Sequence, residues 1–178
     1  TSMKVHFARS DINERRQADD FAVIFGCDLA RVPQGPGVTG DYMVFETGDR
    51  TIQLEALLGF PILARRIEFK CDHASVRTKN LYIEYEQTSD SWFSTNPSGH
   101  AKAIADGHIL IISSGPNTFI FNEKSFAKLL KGATTVRTNR PRINGNHHGC
   151  HTRAKLVPVK VAFETATFVY NVSHGWDY

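Results

Sequence analysis

Cysteine is scarce in this chain. Cys27, Cys71 and Cys150 are the three among 178 residues, too few and too odd in number for a disulfide framework. The expectation is a reducing compartment, the cytoplasm. Long apolar runs are missing too. None approaches the roughly 18 residues a membrane span requires, so no membrane partner is expected. The opening "TSMKVHFARSD" has no apolar stretch of the kind that defines a secretory leader. There is no Walker loop and no dinucleotide fingerprint. No nucleophile stands beside a base partner, which argues against covalent catalysis. Internal repeats and low-complexity tracts are absent.

What is present is ordinary in bulk and uneven in distribution. Apolar residues make up 41% and charged residues 22%, as in a soluble globular protein. The length suits one domain, taken as 3–178. Net charge is only +3, yet nine Lys or Arg and no acid fall between Lys124 and Val161, while acids concentrate between 41 and 90. A basic tract set against an acidic cluster suggests a polyanion held by one part and a cation by the other. A plain solvated basic face is the competing explanation.

The periodicity predicts a first helix over "SDINERRQADDFAVIFG", with Asp11 as N-cap, Glu14 completing a capping box, and Ile12, Ala18, Phe21, Ala22 and Phe25 as its apolar stripe. "ARVPQGPGVTG" reads as a loop. Strands are expected at "DYMVFETG", "ARRIEFKC", "NLYIEYEQ", "HILIISS" and "TFIFN", with "TIQLEAL" a strand or irregular segment. "HASVRTKN" and "TSDSWFSTNPSG" read as connections. Short helices are expected at "HAKAIADG" and "EKSFAKLLKG". Residues 134–154 read as a basic Gly/Asn-rich loop, and "KLVPVKVAFE" and "TFVYNVS" as late strands. This order means an α/β or α+β protein, with a central mixed β-sheet flanked by helices.

The stretch "RRIEFKCDHASVRTKNLYIEYEQ" loads two strands with charge. Alternate residues share a strand face, so Glu68 and Lys70 point one way and Ile67, Phe69 and Cys71 the other, toward a core. Glu84 and Glu86 share a face of the next strand. If those strands are neighbours, their charges converge. A solvated face with cross-strand ion pairs explains one Glu-x-Lys equally well. Asp41 adds context: it heads a strand directly after a Gly-rich loop, 27 positions before Glu68. Two carboxylates can hold a hard divalent cation through oxygen, with the Phe69 carbonyl as a further donor. A lysine beside the ion can orient or help deprotonate a water, and the ion polarises a phosphoryl oxygen.

Asp41 followed by Glu68-Phe69-Lys70 resembles the PD-(D/E)xK nuclease superfamily. The order Glu68, Lys70, Asp72, Asn80, Glu84, Glu86, Ser98, Gly99, Asp106 and then "GNHHGCHTRAKLVPV" is similar to small phage-type and prophage-type members, over roughly 11–160. Gly40 stands where that superfamily commonly has Pro. The resemblance implies a restriction-endonuclease-like core and cleavage of DNA with Mg²⁺ or Mn²⁺ to leave 5′-phosphates. It implies metal binding by Asp41 and Glu68, and water positioning by Lys70. Folds of this kind often pair to cut two strands, so a homodimer is compatible with it. A second register, Asp72 with Glu84-Tyr85-Glu86, places Glu86 where the lysine would be.

The remaining candidates are accessory. Asp72 suits a second cation, or an ion pair with Arg66 or Lys79. Glu84 suits a pairing with Lys70, and Glu14 a hold on metal-bound water if it is not simply part of a capping box. Ser98, His100 and Lys102, at a helix start, suit a DNA phosphate, as do Arg140, Arg142, Arg153 and Lys155. Trp92 and Phe93 suit base stacking or core closure. His147, His148, Cys150 and His151 crowd together, but their spacing is not that of a standard zinc finger. Two further readings stand beside the nuclease: a non-catalytic nucleic-acid-binding module, and a zinc-stabilised structural protein.

Overall fold

The computed structural model describes residues 3–36, 38–89, 94–139 and 150–172. The elements run α1 (Met3–Phe25), β1 (Asp28–Arg31), β2 (Tyr42–Glu46), α2 (Thr51–Leu58), β3 (Arg66–Cys71), α3 (Ala74–Thr78), β4 (Asn80–Ser89) and β5 (Ser94–Pro97). They continue α4 (Gly99–Ala105), β6 (Ile109–Ser114), β7 (Asn117–Phe121), α5 (Glu123–Lys131), β8 (Thr135–Asn139), β9 (Cys150–Pro158), α6 (Val159–Thr165) and β10 (Phe168–Asn171). Six strands form one sheet in the order β1-β2-β3-β6-β7-β10, and four form a second in the order β5-β4-β9-β8. The larger sheet is mixed: β3 and β6 run parallel and its other pairs antiparallel. The class is α/β with a mixed central sheet flanked by helices, as expected.

The run "ILIISS" of β6 is apolar on both faces because both faces are covered. Ile109 and Ile111 pack with Phe21 and Phe25 of α1, Leu54 and Leu58 of α2, and Phe69 of β3. Leu110 and Ile112 point the other way, into a second core with Leu81 and Ile83 of β4, Val157 of β9, and Phe126 and Leu129 of α5. Period-2 alternation thus feeds two cores from one strand. On α1 the buried aromatic stripe stacks in turn: Phe21 meets Phe69 edge-on at 6.4 Å between centroids, and Phe25 meets Tyr170 at 5.6 Å.

Several expected elements differ. The first helix begins well before Asp11, so Asp11 is interior and caps nothing. Its carboxylate pairs with Arg31 and, at 3.8 Å, with Arg15 one turn on. "TIQLEAL" is helix α2, because Leu54 and Leu58 fall four apart on one buried face and Gly59 closes it in the left-handed region at φ 85°. "HASVRTKN" contains α3, and "STNP" pairs with β4 as an edge strand. The predicted loop 134–154 begins and ends as strand, since Thr135–Asn139 and the start of β9 form an antiparallel ladder. "VPVKVAFE" leaves β9 at Pro158 and becomes α6. Trp92, Phe93, Arg140, Arg142, His147 and His148 lie outside the described residues. No helix among the described residues is long and apolar enough to cross a membrane.

Candidate active site

The antiparallel pairing of β2 with β3 sets Tyr42 opposite Ile67 and Met43 opposite Arg66. Asp41 therefore enters the sheet beside Glu68, and its own N–H donates to the Ile67 carbonyl at 2.7 Å. Its side chain turns back along β3, where Oδ2 accepts the Phe69 N–H at 2.8 Å. Glu68 makes the reciprocal contact: Oε2 accepts the Gly40 N–H at 2.6 Å. Two acids on adjacent strands are thus each fixed by the other strand's backbone. Glu68 is only 8% exposed, so the plain solvated face is excluded for this residue. Lys70, two residues on and on the same face, places Nζ 3.2 Å from Glu68 Oε1.

Gly40 makes this approach possible. Its φ is +82°, and a Cβ there would sit 2.8 Å from Arg66 Cβ. The position before the strand acid has a left-handed backbone and no room for a side chain, so a residue other than Gly would be strained there and would displace the N–H that holds Glu68.

The electrostatics follow from crowding. Asp41's carboxyl is pushed up to about 7, first by burial, then by the negative charges of Glu68 and Glu14; the Phe69 N–H and Lys70 offset this only in part. Burial pulls the Lys70 ammonium down, but Glu68 outweighs it, with Asp41 and Glu14 adding to the effect, so its pKa lies above the ordinary value. Glu14 reaches both groups by charge from α1. Because the helix runs on past it toward the N-terminus, Glu14 belongs to no capping box.

Sequence reasoning did not anticipate Gln17. This side chain is 1% exposed on α1, one turn after Glu14. Its Nε2 donates to the Lys70 carbonyl at 2.7 Å and to Ser113 Oγ at 2.8 Å, tying α1 to β3 and β6. The signal available in the sequence was a polar residue beside the apolar stripe Ala18–Phe21–Phe25, which marks a buried side chain with designated partners.

The strands β3 and β4 are not neighbours; they belong to different sheets. The pairing of β3 with β4 that was expected therefore does not form, and the ion partner of Lys70 is Glu68 at 3.2 Å. Glu84 instead lies along the start of α4, where Gly99, at φ +51°, leaves no space: a Cβ would fall 2.1 Å from Glu84 Oε2. The backbone N–H of Glu84 donates to His100 Nδ1 at 3.1 Å. A bulge after Glu84 shifts the register, and Glu86 pairs with Arg153 of β9 at 3.1 Å. Asp72 accepts the Ser75 N–H at 3.0 Å and the Tyr82 N–H at 2.8 Å with its two oxygens, anchoring α3 and the start of β4. Those bonds are structural, and they account for Asp72 without an ion pair to Arg66 or Lys79.

The other candidates are scattered. Ser98 is the N-cap residue of α4 but its hydroxyl makes no capping bond, and the helix has only seven residues. Lys102 pairs with Asp106 at 3.0 Å. Lys155 sits over the Tyr85 ring, 5.0 Å from its centroid. Among the described residues no three His, Cys, Asp or Glu side chains form a ready-made metal cluster. The site that does form is a pair of acids, a lysine and a third acid acting from α1. Comparison of the chain with protein-family models, with curated proteins and with solved structures found no match to any of them.

Proposed function

We propose that the chain is a metal-dependent deoxyribonuclease of the PD-(D/E)xK kind, with Asp41, Glu68 and Lys70 at its centre. The observation that carries this reading is the reciprocal fixing of Asp41 and Glu68 by each other's strand, with Lys70 Nζ 3.2 Å from Glu68. Acids that cannot easily ionise together are a fitting donor set for a hard divalent cation, and Asp41's raised carboxyl is the mark of such a set. Bound there, Mg²⁺ or Mn²⁺ would supply Lewis-acid polarisation of a phosphoryl oxygen and a more acidic water.

The residues' own contributions follow from their charges. Lys70 remains an ammonium at neutral pH, so it donates hydrogen bonds to a water or to the charge that develops on phosphorus-bound oxygen; it does not start as a base. Asp41 and Glu68, positioned by backbone N–H groups, spend no reorganisation on reaching the geometry they need. Glu68 keeps Lys70 protonated, and Glu14 adds a smaller share of negative charge from α1. The DNA backbone would be held by basic residues of the tract 124–160, Arg153 and Lys155 among those described.

The test is nicking of supercoiled plasmid. Wild-type protein with Mg²⁺ should relax and linearise it, the reaction should stop with EDTA, and Lys70→Ala should lose at least about 100-fold in rate, the scale for removing one transition-state charge contact. Activity that needs no cation, or that survives in Lys70→Ala, would overturn the assignment. Cation-independent binding without cleavage would favour a non-catalytic DNA-binding module.

A further inference from the structure

Arg66 opens β3 and shares one strand face with Glu68 and Lys70. The acid on that face, Glu68, is already engaged by Lys70 and by the Gly40 N–H. The half-buried Arg66 turns to the backbone instead: its Nη2 donates to the Gly40 carbonyl at 3.1 Å. The ladder between β2 and β3 begins with Tyr42 opposite Ile67. The Gly40 carbonyl lies outside that ladder, and its donor is a side chain.

The peptides on both sides of Gly40 are thereby held by β3. The one before it gives its N–H to Glu68 Oε2 at 2.6 Å. The one after it receives Arg66 at its carbonyl and gives the Asp41 N–H to the Ile67 carbonyl at 2.7 Å. Asp41 then returns its carboxylate to the Phe69 N–H at 2.8 Å. Among these bonds, Arg66 supplies the one made by a side chain other than the two acids. Its guanidinium neck lies across the Gly40 Cα, since a Cβ at Gly40 would sit 3.0 Å from Nε. Nε itself is buried and meets no hydrogen-bond acceptor among the described residues. A buried N–H without an acceptor costs stability. That cost sets this guanidinium apart from one that lies on the surface in water.

We infer that Arg66 is a positioning residue for the cation centre: its bond to the Gly40 carbonyl sets the peptide that leads into Asp41, and with it the separation of the Asp41 and Glu68 carboxylates. The inference rests on the nuclease reading. It adds to the two acids a cationic side chain that holds them in register without touching the ion. The role belongs to the directed N–H of a planar guanidinium, which a point charge does not reproduce. Groups that orient a metal's ligands change its affinity about 10–100-fold when they are removed.

Two measurements test it. The first is Mn²⁺ binding by folded wild-type and variant protein, counted by electron paramagnetic resonance, with urea unfolding recorded in parallel. Arg66→Ala should bind Mn²⁺ about 10–100-fold more weakly than wild type. Guanidinium ion at a non-denaturing concentration should tighten Mn²⁺ binding to Arg66→Ala. Tetramethylammonium at the same ionic strength, which has the charge but no N–H, should not. A loss of stability with wild-type Mn²⁺ affinity is the result of a purely structural arginine and would overturn the positioning role. Equal recovery with the two ions would overturn the hydrogen bond as its cause. The second measurement needs no variant. Nitrogen-15 spectra of the wild-type protein should resolve the two Nη groups of Arg66, as a held guanidinium requires; one averaged signal would overturn the contact with Gly40. Wild-type protein that binds no Mn²⁺ would overturn the nuclease reading and the role at the ion together, and the guanidinium spectra would still report on the bond.

Discussion

The strands β3 and β4 carry nearly the same text, "IEFKC" and "IEYEQ", and the protein puts them to different uses. On β3, Glu68 is buried at the middle of a six-stranded sheet, bonded to a neighbouring strand's backbone and paired with Lys70. On β4, a bulge separates Glu84 from Glu86; the first lies along a helix start, and the second forms a half-exposed ion pair with Arg153. Burial separates a site from a surface ion pair. A carboxylate removed from water must be held by designated donors, and that requirement fixes its position to within a hydrogen bond. A carboxylate that stays in contact with solvent needs no such partners and gains little from the one it has.

The sharpest way to break this contrast is to make the same substitution on both strands. Glu68→Gln should lower the Mg²⁺-dependent nicking rate by about 100-fold or more, whereas Glu86→Gln should leave it within about threefold. Equal losses would mean that the β4 acids share the centre.

The next effect concerns the backbone that holds Glu68. Gly40→Ala meets Arg66 Cβ at 2.8 Å and forces a side chain into a positive φ. A loss of about 1–3 kcal/mol in urea unfolding is expected, with activity falling further than stability alone would predict. Gly59→Ala has a similar φ, +85°, with nothing within 4 Å. It should lose less stability and leave the nicking rate of the folded protein unchanged.

A smaller effect separates Asp41 from ordinary surface acids. Its carboxyl loses its proton at about 7 in the folded protein and near 3.8 when unfolded. Between those values the folded state binds the extra proton, so stability falls as pH rises from about 4 to 7 and stays reduced above. Asp41→Asn retains an acceptor for the Phe69 N–H and removes the charge. The melting temperature should therefore rise by about 3 °C or more at pH 8, with little change at pH 4. The smallest effect is expected at the ion pair itself: Glu86→Ala should cost less than about 1 kcal/mol in unfolding experiments.

Much of this arrangement was legible in the sequence. Alternation in "RIEFKC" separates Glu68 and Lys70 from the core side, and the Gly-rich loop before Asp41 marks a strand start. The four-residue apolar run at 109–112 announces a strand covered on both faces. What was not legible has specific causes. Strand partners lie far apart in the chain, and nothing local says that α3 carries β4 out of the sheet of β3. The residues "TIQLEALL" satisfy a strand pattern and a helix pattern alike, and burial of Leu54 and Leu58 against one face decided for helix. Asp11 had the form of a cap because its alternative, a longer helix with an ion pair to Arg31, depends on a contact twenty residues away. Gln17 was invisible as a site residue because its importance lies in two hydrogen bonds to other elements.

Manganese titration followed by electron paramagnetic resonance tests the cation site most directly, since free and protein-bound Mn²⁺ are counted separately. Wild-type protein at pH 8 should bind Mn²⁺ at a site that is lost in both Asp41→Asn and Glu68→Gln, is kept in Glu86→Gln, and weakens as pH falls below 7 and Asp41 takes up its proton. Binding that is unchanged in Asp41→Asn and Glu68→Gln, or no binding in the wild type, would contradict the account.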